Sequence, residues 1–503
     1  MNPGIDLGTT YSMIAHVNAF GHPALFPDLN DAGQFRTASA VYLGAQGCLI
    51  GGAVDDLLEE VPDAQVARFV KSLLTRPDFS YVDHQGREWN AVGLSALILR
   101  KMLRDASVFS GEDIGTTVLT VPAQFTDEQR RATRAAALLA GLEDVRLIEE
   151  PVAAAAFYGQ EEGDADRTLL VYDFGGGTFD VTLLQTSPDG LFVLASDGDA
   201  ALGGRHIDQA IMELTDAEML GRLGVSPLAD PATSQRLRRV AEEAKISLSR
   251  PGGPAVRRSV MLMGQPWDFT LSRAQMDSIA GPAVARSIEA CERCLAQAGL
   301  DWRDIDKVMM TGGSSLLPQA GAAVSASWGR PASDLSLKQP HQAVAYGAAI
   351  LAQRFAADPG AYTRLRQVAT ADLCLRVRDA TTGATTLEAL IARNTPLPAA
   401  CRRTVFTSRA DQTHVTLEFM QVRGDGAAET SLGRFSFGPI LAPRADYPVD
   451  LEIGCNAEGL VRVTAMDPLT GRSIDRVLQE ESAGTIPVES QRPLVASVSL
   501  GAY

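Results

Sequence analysis

The residues with most chemical potential lie in Leu170–Val181, which reads LVYDFGGGTFDV. An apolar run ends in Asp173, turns through Gly175, Gly176 and Gly177, and resumes after Thr178 and Asp180. Three successive residues without a Cβ let main-chain amides approach an anion closely. The two flanking carboxylates suit a hydrated cation held against a phosphate. Asp6-Leu7-Gly8-Thr9-Thr10, leading into the apolar segment Tyr11–Val17, repeats this grammar near the N-terminus. Two acidic phosphate-type hairpins far apart in one chain predict two half-domains closing on one nucleotide. Further glycine turns occur at Gly203-Gly204 and at Gly312-Gly313-Ser314, the second between a strand and a helix, the usual setting for backbone approach to a ligand. Glu242, Lys245 and Ser249 fall at i, i+3 and i+7, on one helical face. Taken alone that stripe is an ordinary wet face, and Lys71, after Phe69-Val70, an ordinary solvated strand end. No nucleophile–base pair is evident. Phosphoryl transfer to water needs none, only positioning, a metal and fixed positive charge.

The elements that must position these residues alternate between strand and helix. Thr116–Val121 is a β-branched strand stopped by Pro122. Thr126 and Gln129 form a capping box for a helix that runs to Ala140. Val145–Ile148 is a short strand, and Glu149, Glu150 and Pro151 lead into an alanine-rich helix. This order predicts an α/β core. Beyond Leu373 the helical period disappears. Short alternating segments separated by Gly, Pro and Asp predict a small β-sandwich. Residues 355–370 read as a polar connector, and the segment from Gln479 as a short mobile tail.

Bulk properties narrow the function. The net charge of -16 disfavours nucleic acid or an anionic membrane as partner. No apolar run reaches a membrane span, and no cleavable leader is evident, so a cytoplasmic protein is expected. The six cysteines are scattered. Cys291 and Cys294 form a CxxC within a helical stretch, where two core thiols are the simpler reading than zinc.

The ordered set GIDLGTTYS (4–12), FVKSLL (69–74), VLTVPAQFTDEQRRATRAAALLAGLEDVRLIEEPVAAAAFYG (118–159), VYDFGGGTFDVTLL (171–184), LGGRHID (202–208), AEEAKISLS (241–249), MTGGSSLLP (310–318), AVAYGAAI (343–350), LIARNTPLP (390–397) and SLGRFSF (431–437) resembles the heat shock protein 70 (DnaK-like) chaperones across nearly the whole chain. Details around KSLLTR (71–76) are similar to the HscC-like branch. The resemblance implies an actin-like (ribonuclease H-like) α/β ATPase of two lobes over residues 1–362, a linker at 363–371, a β-sandwich that binds peptide at 372–480, and a tail at 481–503 in place of a helical lid. It implies ATP/ADP between the lobes with Mg2+ and K+. Gly8, Thr9, Thr10 and Tyr11 match one phosphate loop, and Gly175, Gly176, Gly177 and Thr178 the other. Asp6, Asp173 and Asp180 match the carboxylates that organise the cations. Lys71 and Glu150 match the groups around the γ-phosphate and its attacking water. Gly203 and Gly204 match a nucleotide-proximal turn. Glu242, Lys245 and Ser249 match one wall of the adenosine pocket, and Gly312, Gly313 and Ser314 the other. Pro122 and Arg130 match a switch and its relay. In the sandwich, Val377, Phe406, Val415 and Leu417 match positions that line or support the peptide cleft. Implied partners are unfolded or extended polypeptide, a J-domain co-chaperone and a nucleotide exchange factor.

The sequence departs from the family in several places. Leu316 stands where an adenine-stacking arginine is usual, and His341 where an acidic residue is usual. The linker Leu365-Arg366-Gln367-Val368-Ala369 is polar where the family is aliphatic and ends in Asp. Ala380 and Arg409 fall at the arch over the cleft. Three functions stay open: an ATP-hydrolysing chaperone with a role in protein folding and the stress response, a specialised nucleotide-gated interaction module, and a small-molecule kinase on the same two-lobed fold.

Overall fold

The computed structural model describes residues 1–500 apart from 46, 62–63, 163–165, 188–189, 379–383, 424–427, 442 and 478–486. Two sheets repeat one plan. In the first, strands run in the order Val145–Glu149, Thr117–Val121, Gly4–Asp6, Tyr11–Val17, Pro23–Leu25. In the second they run Lys307–Thr311, Arg167–Phe174, Phe179–Ser187, Gly190–Asp199, Leu365–Arg366. In each, an antiparallel hairpin holds the glycine turn, and a parallel strand joins its first arm: Gly4–Asp6 pairs with Thr117–Val121, and Arg167–Phe174 with Lys307–Thr311. The central hairpin is buried on both faces. Leu170, Tyr172, Phe174, Phe179 and Val181 pack into one cluster with the long helices Gly204–Leu223, Pro231–Ser249 and Arg273–Ala298. Leu169, Val171 and Leu184 pack on the other side with the alanine-rich helix Glu150–Glu162 and the helix Ala343–Ala357. A strand covered on both faces reads as a continuous apolar run, which is why LVYDF and FDVTLL carry so little polarity.

The expected caps and stops are present. The helix Asp127–Leu139 begins at Thr126 with a complete capping box to Gln129. Cys291 and Cys294 are buried thiols on Arg273–Ala298. Cys294 Sγ lies 3.7 Å from the Val181 carbonyl, a core contact.

The C-terminal third forms two four-stranded sheets. One has the order Thr385–Ile391, Asp372–Arg378, Val415–Arg423, Ala428–Phe437; the other Ala399–Phe406, Pro448–Cys455, Val461–Met466, Ser473–Val477. Residues of both, among them Leu375, Phe419, Phe435, Val449, Ile453 and Val463, share one core.

Two segments differ from expectation. The connector is docked: Leu365–Arg366 adds a parallel strand beside Leu191–Phe192, and Leu365, Gln367 and Val368 are buried. Its polarity is used, because the Gln367 side chain spans two partners described below. The tail is also not free over its described part. Val488–Ser497 is a helix against Ala91–Ser110, with Val495 and Val498 in the same core cluster as Leu94, Leu97 and Ile98. Pro487 and Pro493 read as helix breakers, yet the first precedes the helix and apolar burial outweighs the bond the second removes.

Candidate nucleotide site

The two glycine turns meet across the interface of the lobes. A Cβ on Gly176 would lie 2.6 Å from Thr10 Oγ1, and one on Gly177 would lie 2.9 Å from Thr9 Oγ1, so only glycine permits this approach. Among the described residues, neither Gly176 nor Gly177 donates its amide to a main-chain carbonyl. Those amides remain available to an anion, as a phosphate cradle requires. Behind them Gly204 N donates to Gly175 O at 3.0 Å and Ser314 Oγ to the same oxygen at 2.9 Å, fixing the turn.

A cleft of about 740 Å³ opens from this point. It falls within the range expected for small-molecule and cofactor sites. Asp6, Gly8, Thr9, Thr10, Tyr11, Lys71, Glu150, Asp173, Gly175, Gly176, Gly177, Thr178, Gly204, Glu242, Lys245, Ser249, Gly312, Gly313 and Ser314 line it. Asp180 and Gly203 do not reach the wall. Asp180 lies behind it, accepting from Gln124 N at 3.2 Å, and Gly203 packs on the Gly176 backbone.

Lys71 Nζ donates to Glu150 Oε1 at 2.5 Å, and both side chains are nearly sealed from water. Asp6, Asp173 and Asp180 surround this pair. Burial, and then the charge of Glu150, push Asp6 up to about 7. The same two causes push Asp180 up to about 7. Asp173 stands well above the usual carboxylate range through burial, with Glu150, Asp180 and Asp6 adding to it. Four carboxylates sharing one ammonium make a site short of positive charge. Among the described residues no group of His, Cys, Asp or Glu has the spacing of a direct metal cage. The clustered carboxylates of Asp6, Asp173 and Asp180 are hard oxygen donors that suit a cation keeping its water shell, as Mg2+ does readily.

At the far end Lys245 Nζ lies 2.7 Å from Asp208 Oδ1 and donates to Gly204 O at 3.1 Å. Burial raises Asp208 to about 6, with Lys245 acting against it. Ser249 Oγ donates to Lys245 O at 2.9 Å. The sequence reading missed Arg36, Phe69, Arg205, Asp208 and Arg238, which also line the cleft. Asp208 closes the LGGRHID motif, so its spacing from Gly203-Gly204 was a usable signal. Arg205 lies in the same motif, whereas Arg36 and Arg238 sit in none. Leu316 and His341 are on the wall, both exposed, with the His341 imidazole held below its ordinary value by partial desolvation and by Arg36.

In the sandwich the four expected cleft residues sit in different settings. Val415 and Leu417 are core residues, Val377 packs against that core, and Phe406 is 60% exposed on the other sheet. Arg409 is exposed, and Ala380 lies outside the described residues.

The Hsp70 protein family model matches residues 64–494, more than half of the chain. The chain belongs to the Hsp70 family. Hsp70 proteins are chaperone-type ATPases with an actin-like nucleotide-binding fold and a β-sandwich, they use nucleotide with Mg2+, and they bind unfolded polypeptide and co-chaperones. In this Hsp70 chain no described helix is long and apolar enough to cross a membrane.

Proposed function

We propose that this Hsp70 chain binds and hydrolyses ATP in the cleft between Gly8–Tyr11 and Gly175–Thr178, and couples the nucleotide state to the grip of its sandwich on extended polypeptide. The observation that carries the coupling is the Gln367 side chain. Its Oε1 accepts from Glu149 N at 3.1 Å and its Nε2 donates to Ala457 O at 2.7 Å. One amide therefore joins the residue beside Glu150 to a loop of the sandwich. Arg130 runs parallel to it, pairing with Glu149 Oε1 at 2.9 Å and donating to Glu458 O at 3.2 Å. Asp127 adds a third tie, since its Oδ1 accepts from Val461 N at 2.6 Å. Arg393 holds the sandwich to the second lobe through Ser196 O and Asp197.

Chemically, Lys71 supplies fixed positive charge to the transferring phosphoryl group. Glu150 orients Lys71 and a water, the free Gly176 and Gly177 amides receive the phosphates, and Thr178 steadies the nucleophile. Mg2+, with K+ beside it, would be held through water by Asp6 and Asp173, with Asp180 adding negative charge from behind the wall, and would neutralise charge on the phosphate oxygens. Glu242, Lys245, Ser249 and Gly312–Ser314 form the walls for the nucleoside. The same connections suit a nucleotide-gated module serving a single partner. The β-sandwich, and a sequence without a second substrate signature, weigh against the small-molecule kinase reading.

The test is the dissociation rate of a fluorescent extended peptide from the full chain in ATP and in ADP. The reading predicts faster release in ATP, and a Gln367→Leu variant that loses most of the difference. Equal release in ATP and ADP by the unmodified chain contradicts the coupling.

A further inference from the structure

The turn ahead of Lys71 has an unusual backbone. Phe69 adopts φ 57° and ψ 29°, the left-handed region that residues with a Cβ disfavour. It opens the short 3-10 segment Val70–Leu73, on which Lys71 points into the site. Nothing in the local sequence favours that conformation, since a bulky aromatic is among the poorer residues for it. The support comes from the opposite lobe.

Two arginines reach across the mouth of the cleft to this turn. The Arg238 guanidinium, on Pro231–Ser249, lies 5.4 Å from the centre of the Phe69 ring. Arg205, on Gly204–Leu223, donates from Nη1 to Ser72 Oγ at 3.0 Å, and Ser72 Oγ donates on to the Phe69 carbonyl at 2.8 Å. One arginine therefore holds the ring of Phe69 and the other, through a hydroxyl, its main chain. Phe69, Arg205 and Arg238 all line the cleft beside Lys71, Glu242 and Lys245. Separating the lobes breaks both contacts and leaves the strained turn unsupported.

We infer that the Phe69 turn, gripped by Arg205 and Arg238, is an interlobe clasp that sets how long a nucleotide stays in the cleft. This rests on the proposal that the cleft binds nucleotide. Phe69 is a positioning residue: it holds the lobes together and presents Lys71, without itself meeting the reacting atoms. A cation–π contact of this kind, partly desolvated, corresponds to a change of roughly fivefold or more in an escape rate.

The experiment is stopped-flow dissociation of a fluorescent ADP analogue from the full chain, with circular dichroism melts to verify that each variant is folded. Phe69→Ala and Arg238→Ala each raise the dissociation rate about fivefold or more. The double variant is no faster than the faster single variant, because both lose one contact. Phe69→Tyr, which keeps the aromatic face, stays within about twofold of wild type. Phe69→Asn tolerates the left-handed backbone but lacks the ring, and it behaves like Phe69→Ala. Wild-type dissociation from a folded Phe69→Ala, strictly multiplicative effects in the double variant, or a Phe69→Tyr as fast as Phe69→Ala overturns the clasp. Failure of the unmodified chain to bind the analogue overturns the nucleotide reading itself.

Discussion

Gly93 occupies an early position in the helix Ala91–Ser110, where alanine normally stabilises by up to about 1 kcal/mol. Here Gly93→Ala is expected to destabilise. A Cβ at this position would lie 2.3 Å from Gln491 Oε1, on the C-terminal helix, and 3.2 Å from the Trp89 ring. Gln491 is fully buried; its Oε1 accepts from Asn90 N at 3.2 Å and its Nε2 donates to Glu88 O at 3.3 Å. Ejecting it leaves the buried Asn90 amide without that acceptor, at a cost of about 1–3 kcal/mol. Set against the full helix gain, the net loss is about 0–2 kcal/mol. In a Gln491→Ala background the 2.3 Å clash is gone and only the Trp89 contact remains, so Gly93→Ala becomes nearly neutral. The assay is urea unfolding of the four chains of this double-mutant cycle, followed by far-ultraviolet circular dichroism. A Gly93→Ala that stabilises the otherwise unmodified chain, or that costs the same with and without Gln491, refutes the docking of the C-terminal helix at this groove.

Other outcomes follow from buried charge. Arg130 and Glu149 are both buried and paired at 2.9 Å, so Arg130→Ala strands a carboxylate already raised by burial and costs about 3–5 kcal/mol in denaturant unfolding. Asp6 and Asp180 are raised to about 7 in the folded chain, so their contribution to stability is greatest at low pH and is lost as pH climbs from the ordinary carboxylate range through 7. Added Mg2+ is therefore expected to raise the melting temperature more at pH 8 than at pH 5.5, relative to the same chain in EDTA. An equal rise at both values would remove the carboxylate cluster as the cause. Asp127→Ala deletes the acceptor for Val461 N and is expected to speed proteolysis of the sandwich junction without lowering nucleotide affinity.

Much of this was legible in the sequence, because the phosphate hairpins place their chemistry within a few consecutive residues. LVYDFGGGTFDV specifies strand, turn and strand with its own apolar run and its own glycines, and IDLGTT does the same. The capping box at Thr126 is equally local. What escaped depends on pairs remote in sequence. Gly93 reads as a helix defect until Gln491, nearly four hundred positions away, is seen to fill the space. Gln367 reads as a polar flaw in a linker, and only its two amide partners turn polarity into a connection. Pro487 and Pro493 masked a helix whose stability comes from burying Val495 on another element. Arg36 and Arg238 carry no motif, Arg205 is only an interior position of LGGRHID, and all three are recognisable as cleft residues only in the folded chain. In the sandwich, the resemblance put Val415 and Leu417 at positions that line or support a cleft, and both are buried in the core.

The central claim is that the Lys71–Glu150 pair serves hydrolysis of a nucleotide held by the two glycine turns. It is tested most directly by measuring phosphate release and ATP affinity for the unmodified chain and for Lys71→Ala, with Mg2+ and with and without an unfolded peptide. The account predicts phosphate release by the unmodified chain with no added acceptor, and in Lys71→Ala a loss of hydrolysis of at least about a hundredfold with nucleotide binding retained. Undiminished hydrolysis by Lys71→Ala would contradict it.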